Sequence, residues 1–130
     1  MSHDDATTTV ADLRNVMRDW VAARDWSRYH TPRNLAASVT IEAAELLELF
    51  QWLTPDEAAE RAADAKFRER VGEEMADVLC YLLSLANAMD LDLSAAMADK
   101  MAKNSKKYPP GQLDGSKWAE HFKNGDRRRG

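Results

Sequence analysis

The chain has 130 residues, 45% apolar and 31% charged, with five Gly, four Pro and one Cys. This length fits one compact domain, and the apolar share is too high for a disordered chain. The lone Cys80 excludes an intramolecular disulfide and a zinc-binding thiol cluster, so we expect a reducing, cytoplasmic location. No uncharged apolar stretch of about 18 residues and no basic, apolar leader are present, so we expect neither a membrane segment nor a secretory signal.

The net charge of −4 argues against a nucleic-acid polymer as the main partner, because such binding depends on neutralising phosphates with basic side chains. Ala, Leu, Met, Glu, Lys and Arg dominate the composition, whereas β-branched residues are scarce. This composition predicts an all-α domain.

Capping residues and apolar periodicity divide the chain into helices. Thr9 followed by Asp12 resembles a capping pair and predicts a first amphipathic helix from residue 10 to about Arg24. Residues 25–32 break the helical period and close on a proline, so they are interpreted as a loop. Later helices are predicted at about residues 32–53, in a short segment after Thr54, at residues 67–89 and from Ser94 to about residue 107.

These elements predict an antiparallel helical bundle over residues 10–110, preceded by an N-terminal tail of residues 1–9. Residues 111–130 contain few apolar side chains and end in the basic tip Arg127–Arg129, so we expect a C-terminal arm. A monomer would leave many apolar positions of the first and last helices uncovered, so the bundle is expected to be oligomeric.

Carboxylates lie inside the apolar faces of the two longest predicted helices. On a wheel at about 100° per residue, Glu42 falls within the apolar stripe and Glu45 lies one turn later at its edge. Glu74 and Asp77 repeat this pattern on the next long helix. Burying unpaired carboxylates costs several kcal/mol, so four of them at one helix interface need strong compensation.

Divalent cations supply that compensation, and oxygen-only ligation favours Mg²⁺, with Mn²⁺ as a possible substitute. A ferritin-like di-iron site would need Glu-x-x-His pairs, and the chain has none. Two structural alternatives stay open. The carboxylates would then pair with arginine or lysine across the bundle, or face solvent.

Basic and aromatic residues lie in segments predicted to flank these carboxylates. Lysines of the last helix form either a solvated basic face or a site for a phosphate chain whose other oxygens bind the metal. Aromatic side chains in the loop and helices belong either to the core or to a slot in which a base stacks. The residues concerned are Lys100, Lys103, Lys106 and Lys107 with Asn104, and Trp26, Tyr29, His30, Trp52 and Tyr81.

The spacing of the carboxylates resembles a family signature. Glu42-x-x-Glu45, followed after 28 residues by Glu74-x-x-Asp77, is similar to the motif of the MazG-like, all-α nucleoside triphosphate pyrophosphohydrolases. Residues 24–35, 48–52, 77–82 and 100–109 look like the dCTP pyrophosphatase branch in particular. The resemblance covers about residues 10–120.

This resemblance implies hydrolysis of a (deoxy)nucleoside triphosphate, namely dCTP or a modified dCTP, to the monophosphate and pyrophosphate. It implies Mg²⁺ held by Glu42, Glu45, Glu74 and Asp77, with Glu42 or Glu45 activating the attacking water. The residues implied to contact the nucleotide are Trp26, His30, Trp52, Tyr81, Lys100, Lys103 and Asn104. It also implies a homotetramer, or a dimer, in which neighbouring chains complete the nucleotide pocket.

The base preference stays open, because Met17 stands where animal members of the family carry a histidine. Other functions also stay open. They are a broad pyrophosphatase acting on non-standard or damaged nucleotides, a phosphoribosyl-nucleotide pyrophosphohydrolase, and a non-catalytic helical interaction module.

Overall fold

A computed structural model describes residues 3–111, which form five α-helices and one short 3₁₀ turn, with no strand in this range. The helices are α1 (Val10–Ala23), α2 (Pro32–Glu48), α3 (Pro55–Arg61), α4 (Ala65–Met89) and α5 (Leu93–Lys107). The 3₁₀ turn spans Ser27–Tyr29, between α1 and α2. The predicted all-α class is confirmed.

Side-chain caps define where the first four helices begin. In each case a side-chain oxygen accepts a hydrogen bond from the backbone N–H three residues later. The backbone N–H groups of Thr9 and Thr54 also donate to the carboxylates of Asp12 and Glu57, which completes a capping box, as the sequence predicts for both positions. The capping residues are Thr9, Thr31, Thr54 and Asp64.

Three helix boundaries differ from the prediction, and one of them is the start of α5, at Leu93 and not at Ser94. α2 ends at Glu48 and not near Leu53, because the backbone tightens: the N–H of Phe50 donates to Leu47 O, and the N–H of Leu53 to Phe50 O, both at 2.9 Å. α4 begins at residue 65 and not at 67, because Asp64 caps it.

The chain divides into two compact units, one ending at Asp92 and one beginning at Leu93 with α5. Within the first unit α4 packs against both α2 and α1. Its apolar core is small and consists of Val21, Leu35, Phe67, Leu83 and Ala86. Phe50 adds to this core by packing edge-to-face on Phe67, with ring centroids 5.3 Å apart.

Asn87 ties α1 to α4 through its side-chain amide. Its Nδ2 donates to the backbone oxygen of Arg14 at 2.9 Å, and its Oδ1 accepts from Arg14 Nε at 3.0 Å. The same oxygen accepts from Arg18 Nη2 at 3.1 Å. The amide therefore fixes how α1 lies along α4, and this contact sets the geometry of the space between them.

None of the helices within residues 3–111 is on its own long and apolar enough to cross a membrane. Of the helices in this range, only α4 and α5 taken together, as a bent pair, have the length and composition that a membrane-crossing segment needs. The predicted C-terminal arm lies outside the described residues from residue 112 onward, and so does its basic tip.

Candidate functional site

Three glutamates converge where α2 packs against α4. One carboxylate oxygen from each of Glu42, Glu45 and Glu74 lies within 4.8 Å of the others. Glu42 and Glu74 are half-buried, whereas Glu45 is exposed. This matches their places on the helical wheels, since the first two lie in the apolar stripes and Glu45 lies at the edge of its stripe.

Burial and mutual repulsion make two of these groups hard to ionise. Burial raises the pKa of Glu42 to about 7, and the hydrogen bond and charge of Glu45 and the charges of Asp77 and Glu74 add to this shift. The pKa of Glu74 is also raised, first by burial and then by the charges of Glu45 and Asp77. Without a cation, Glu42 is therefore partly protonated near neutral pH.

The cluster is suited to a hard divalent cation. The Oε2 atoms of Glu42 and Glu74 have no solvent access and no hydrogen-bond partner. Within residues 3–92 the one ion pair joins Arg28 to Asp25, 3.6 Å apart. No basic side chain in this range therefore pairs with the glutamates. Buried carboxylate oxygens without donors are costly, and Mg²⁺ and Mn²⁺ are cations that such oxygens bind. The glutamates could therefore hold a metal ion.

Asp77 lies one turn after Glu74 on α4 and outside the 4.8 Å set. Its charge raises the pKa of Glu42, Glu74 and Tyr81, so it is electrostatically part of the cluster. Asp77 also lines the adjacent cavity. It therefore connects the glutamates to that space.

This cavity of about 420 Å³ lies between α1, the segment after it and α4. It brings together Trp26, His30 and Tyr81, three of the side chains that the sequence assigns to a base slot. Burial lowers the pKa of His30, which favours a neutral imidazole at pH 7. The pKa of Tyr81 is raised, first by burial and then by the charges of Glu42 and Asp77, so its hydroxyl keeps its proton.

The other predicted contact residues belong to three further segments of the chain. Trp52 is 86% exposed and lines a separate groove together with Glu57, Glu60 and Asp64. Lys100, Lys103 and Asn104 share one face of α5, which belongs to the second unit. Tyr29 is 58% exposed and is not among the cavity-lining residues.

Trp20 and Cys80 are among the cavity residues that were not predicted from the sequence. Their spacing could have indicated this position. Cys80 follows Asp77 by three residues and Trp20 follows Met17 by three, so each pair shares one helix face. Burial, followed by the charge of Asp77, raises the pKa of the Cys80 thiol. Cys80 is thus a poor nucleophile at neutral pH.

The fold and the site define a class of all-helical proteins in which a carboxylate cluster suited to a metal ion adjoins an aromatic cavity. Residues 37–122 match the model of the MazG-like family, and the chain belongs to that family. The family resemblance predicted from the carboxylate motif is confirmed.

Individual proteins show the same similarity. The chain is 41% identical to dCTP pyrophosphatase 1 of Rattus norvegicus and 40% identical to that of Homo sapiens, in each case over 78% of this chain. It spans 59% of the length of each of these relatives. It is also similar to a pyrophosphatase of Archaeoglobus fulgidus with a crystal structure, with 42% identity, a TM-score of 0.73, and coverage of 84% of this chain and 98% of that one.

Proposed function

We propose that the chain is a nucleotide pyrophosphohydrolase that converts dCTP or a modified dCTP to the monophosphate and pyrophosphate. The observation that carries this proposal is the glutamate cluster, whose buried oxygens lack partners, next to a cavity lined by Trp26, His30 and Tyr81. The names of the rat and human relatives and of the archaeal pyrophosphatase support it. The proposed location is the cytoplasm, since the single cysteine cannot form an intramolecular disulfide.

Glu42, Glu45, Glu74 and Asp77 would hold Mg²⁺, with Mn²⁺ as a substitute. Such an ion, when bound, neutralises phosphate charge and acidifies a coordinated water. Glu42 and Glu45 are the candidate bases for the attacking water as the bond between the α- and β-phosphates is hydrolysed. Glu45 is exposed and Glu42 half-buried, so the two offer different access to that water.

The base would stack on Trp26 and meet the polar edges of His30 and Tyr81, which are uncharged at neutral pH. Lys100, Lys103 and Asn104 would contact the sugar and phosphates. Trp52 would reach the nucleotide from a neighbouring chain of a homotetramer or dimer, and its 86% exposure supports a role outside its own subunit's core.

The test uses the full chain with Mg²⁺ and a panel of nucleoside and deoxynucleoside triphosphates, with the monophosphate and pyrophosphate products separated by ion exchange. We expect dCTP or a 5-substituted dCTP to give the highest kcat/KM. Preference for damaged or non-standard bases would favour the broader pyrophosphatase. No product from any nucleotide would favour the non-catalytic module.

Substitutions in the carboxylate cluster test the site itself. Glu45→Ala and Glu74→Ala should abolish turnover, because each removes a metal ligand. Glu69→Ala is the matched control, since Glu69 is an exposed residue of α4 on a different face from Glu74. Metal-dependent activity retained in both cluster variants would contradict the site.

A further inference from the structure

The end of α1 is a Schellman motif, a backbone turn that closes the helix and reverses the chain. The N–H of Trp26 donates to Val21 O, and the N–H of Asp25 donates to Ala22 O, both at 3.1 Å. Asp25 has a φ of 53°, in the left-handed region that this motif requires and that glycine usually occupies. The turn brings Trp26 back onto the last turn of the helix.

Trp26 then packs on a residue of that last turn. Its ring meets Trp20 edge-to-face, with centroids 5.0 Å apart and planes at 78°. Such a contact between the residue after the left-handed position and the end of the helix often accompanies this motif. Here both partners are tryptophans, so a helix cap also fixes the position of a large aromatic ring.

Arg24 packs on the Trp20 ring of this pair. Its guanidinium carbon lies 3.9 Å from the centroid of the Trp20 ring, and its Nη1 donates to Trp20 O at 2.9 Å. A planar guanidinium held by a backbone bond and stacked on indole restricts the ring below it. Arg24 and Trp26 thus both pack on Trp20, and we call these three side chains the tryptophan stack.

The tryptophan stack forms part of the cavity wall, because Trp20 and Trp26 both line the cavity together with His30 and Tyr81. Trp20 is 41% and Trp26 42% exposed, so the surrounding core alone does not hold either ring. A ring that must be ordered during binding costs about 0.5–1.5 kcal/mol of affinity. Ordering it beforehand avoids this loss.

We propose that Arg24 and Trp20 are positioning residues that hold the Trp26 ring in its stacking orientation before a nucleotide binds. This inference rests on the proposed function and deepens it. The effect concerns binding and not the chemical step, because Arg24 and Trp20 lie at the end of α1 whereas the carboxylates lie on α2 and α4.

Steady-state kinetics on dCTP with Mg²⁺ test the binding effect. Arg24→Ala and Trp20→Leu should raise KM roughly three- to tenfold and leave kcat within about twofold. Trp20→Phe keeps an aromatic ring and should restore most of the affinity, and Arg24→Lys should restore less because it lacks the planar guanidinium. Arg68→Ala is the matched control, since Arg68 is an exposed arginine whose Nη1 donates to Ala62 O at 3.2 Å, and its loss should leave KM unchanged.

Near-ultraviolet circular dichroism of the nucleotide-free protein tests the ring orientation separately, with far-ultraviolet spectra to confirm that each variant is folded. The tryptophan signal should weaken in Arg24→Ala and persist in Arg68→Ala. An unchanged signal in Arg24→Ala, which keeps both tryptophans, would overturn the positioning of Trp26. A weakened signal with unchanged KM would overturn its role in binding.

Absence of any nucleotide hydrolysis by the parent protein would instead count against the proposed function. The spectra would still test the positioning of Trp26 in that case.

Discussion

Glu42 is the residue whose environment most affects how the protein responds to pH. Its pKa is raised from 4.5 to about 7, mainly by burial. Because the folded state holds this proton while the unfolded state releases it, the free energy of unfolding falls as pH rises from about 4.5 to 7. Asp12 does not oppose this trend, since its pKa is lowered below 3.8 by hydrogen bonds to Thr9 and its contribution changes only in more acidic solution.

Thermal unfolding of the metal-free protein in a chelator tests this reasoning. We expect a higher Tm at about pH 5 than at about pH 8, and Glu42→Gln should remove much of the difference. The glutamine variant keeps the shape of the side chain and cannot ionise. An equal pH dependence in the parent protein and in Glu42→Gln would contradict the assignment.

Bound Mg²⁺ should offset the repulsion among these carboxylates and so stabilise the folded protein. A cation that binds only the folded state raises the Tm, and it competes with the protons held by Glu42 and Glu74. We therefore expect millimolar Mg²⁺ to raise the Tm more at about pH 8 than at about pH 6. The increase should be small in Glu74→Gln and preserved in the surface control Glu69→Gln. No increase at either pH would argue against the metal site.

The buried glutamates could be predicted from the sequence, because apolar neighbours at helical spacing mark which face of a helix is inside. The composition of the cavity could be predicted only in part. Trp26 and His30 were recognisable as aromatic and polar residues in a loop, whereas Trp20 looked like an ordinary apolar residue of α1. Its role depends on the turn at Asp25, and aspartate in a left-handed conformation leaves no clear sequence signal.

At the level of helices, the amide of Asn87 should contribute strongly to the docking of α1 on α4. Asn87→Ala leaves Arg14 O and Arg14 Nε without their partner in a partly buried position, although Arg14 Nη2 still donates to Ala86 O. We expect a loss of about 1–3 kcal/mol in the free energy of unfolding, measured by urea denaturation. Asn15→Ala is the control, because Asn15 accepts its bond from Arg18 on the exposed surface of α1. Equal losses in the two variants would contradict the structural role of Asn87.

The end of α4 repeats the capping geometry of α1. The N–H of Leu91 donates to Ala86 O at 2.9 Å, and Asp90 has a φ of 52°. Since glycine adopts this conformation without the steric cost, Asp90→Gly should increase the free energy of unfolding by up to about 1 kcal/mol in urea denaturation. Asp90→Ala keeps the steric cost and should give no such gain. A destabilised Asp90→Gly would show that the aspartate side chain contributes more than the strain costs.

Helix starts were predictable where threonine caps mark them in the sequence. Threonine and proline form local, sequence-readable caps, and the predicted starts at Val10 and after Thr54 are correct. The early end of α2 follows from a tightened backbone at residues 49–53, which no glycine or proline within that stretch announces. Such an end depends on how Phe50 packs on Phe67, a contact between distant parts of the chain.

For the whole molecule, the distribution of apolar surface supports self-association. Met75, Leu79 and Leu82 follow one another at helical spacing on α4 and are 57%, 43% and 40% exposed. On α2, Ile41 and Leu47 are 57% and 62% exposed. A continuous apolar stripe on a helix surface is typical of a protein interface. The oligomer expected from the sequence therefore has a specific candidate surface, the α4 stripe formed by residues 75, 79 and 82.

Light scattering coupled to gel filtration tests this surface. The parent protein should elute at a multiple of the 14.7 kDa chain mass, at four or two times that value. Leu79→Glu should shift the distribution toward the single-chain mass, because it buries a charge in the α4 stripe. Arg70→Gln makes the same change in net charge on a different face of α4 and should leave the mass unchanged.

The same variants connect assembly to the proposed activity. If Trp52 reaches the nucleotide from a neighbouring chain, Leu79→Glu should raise KM for dCTP at low protein concentration, and the loss should shrink as concentration rises and mass action restores the oligomer. Trp52→Ala should raise KM at every concentration, since it removes the ring without affecting assembly. A parent protein that elutes as a single chain, or a dissociated Leu79→Glu with unchanged KM, would show that one chain forms the nucleotide site alone.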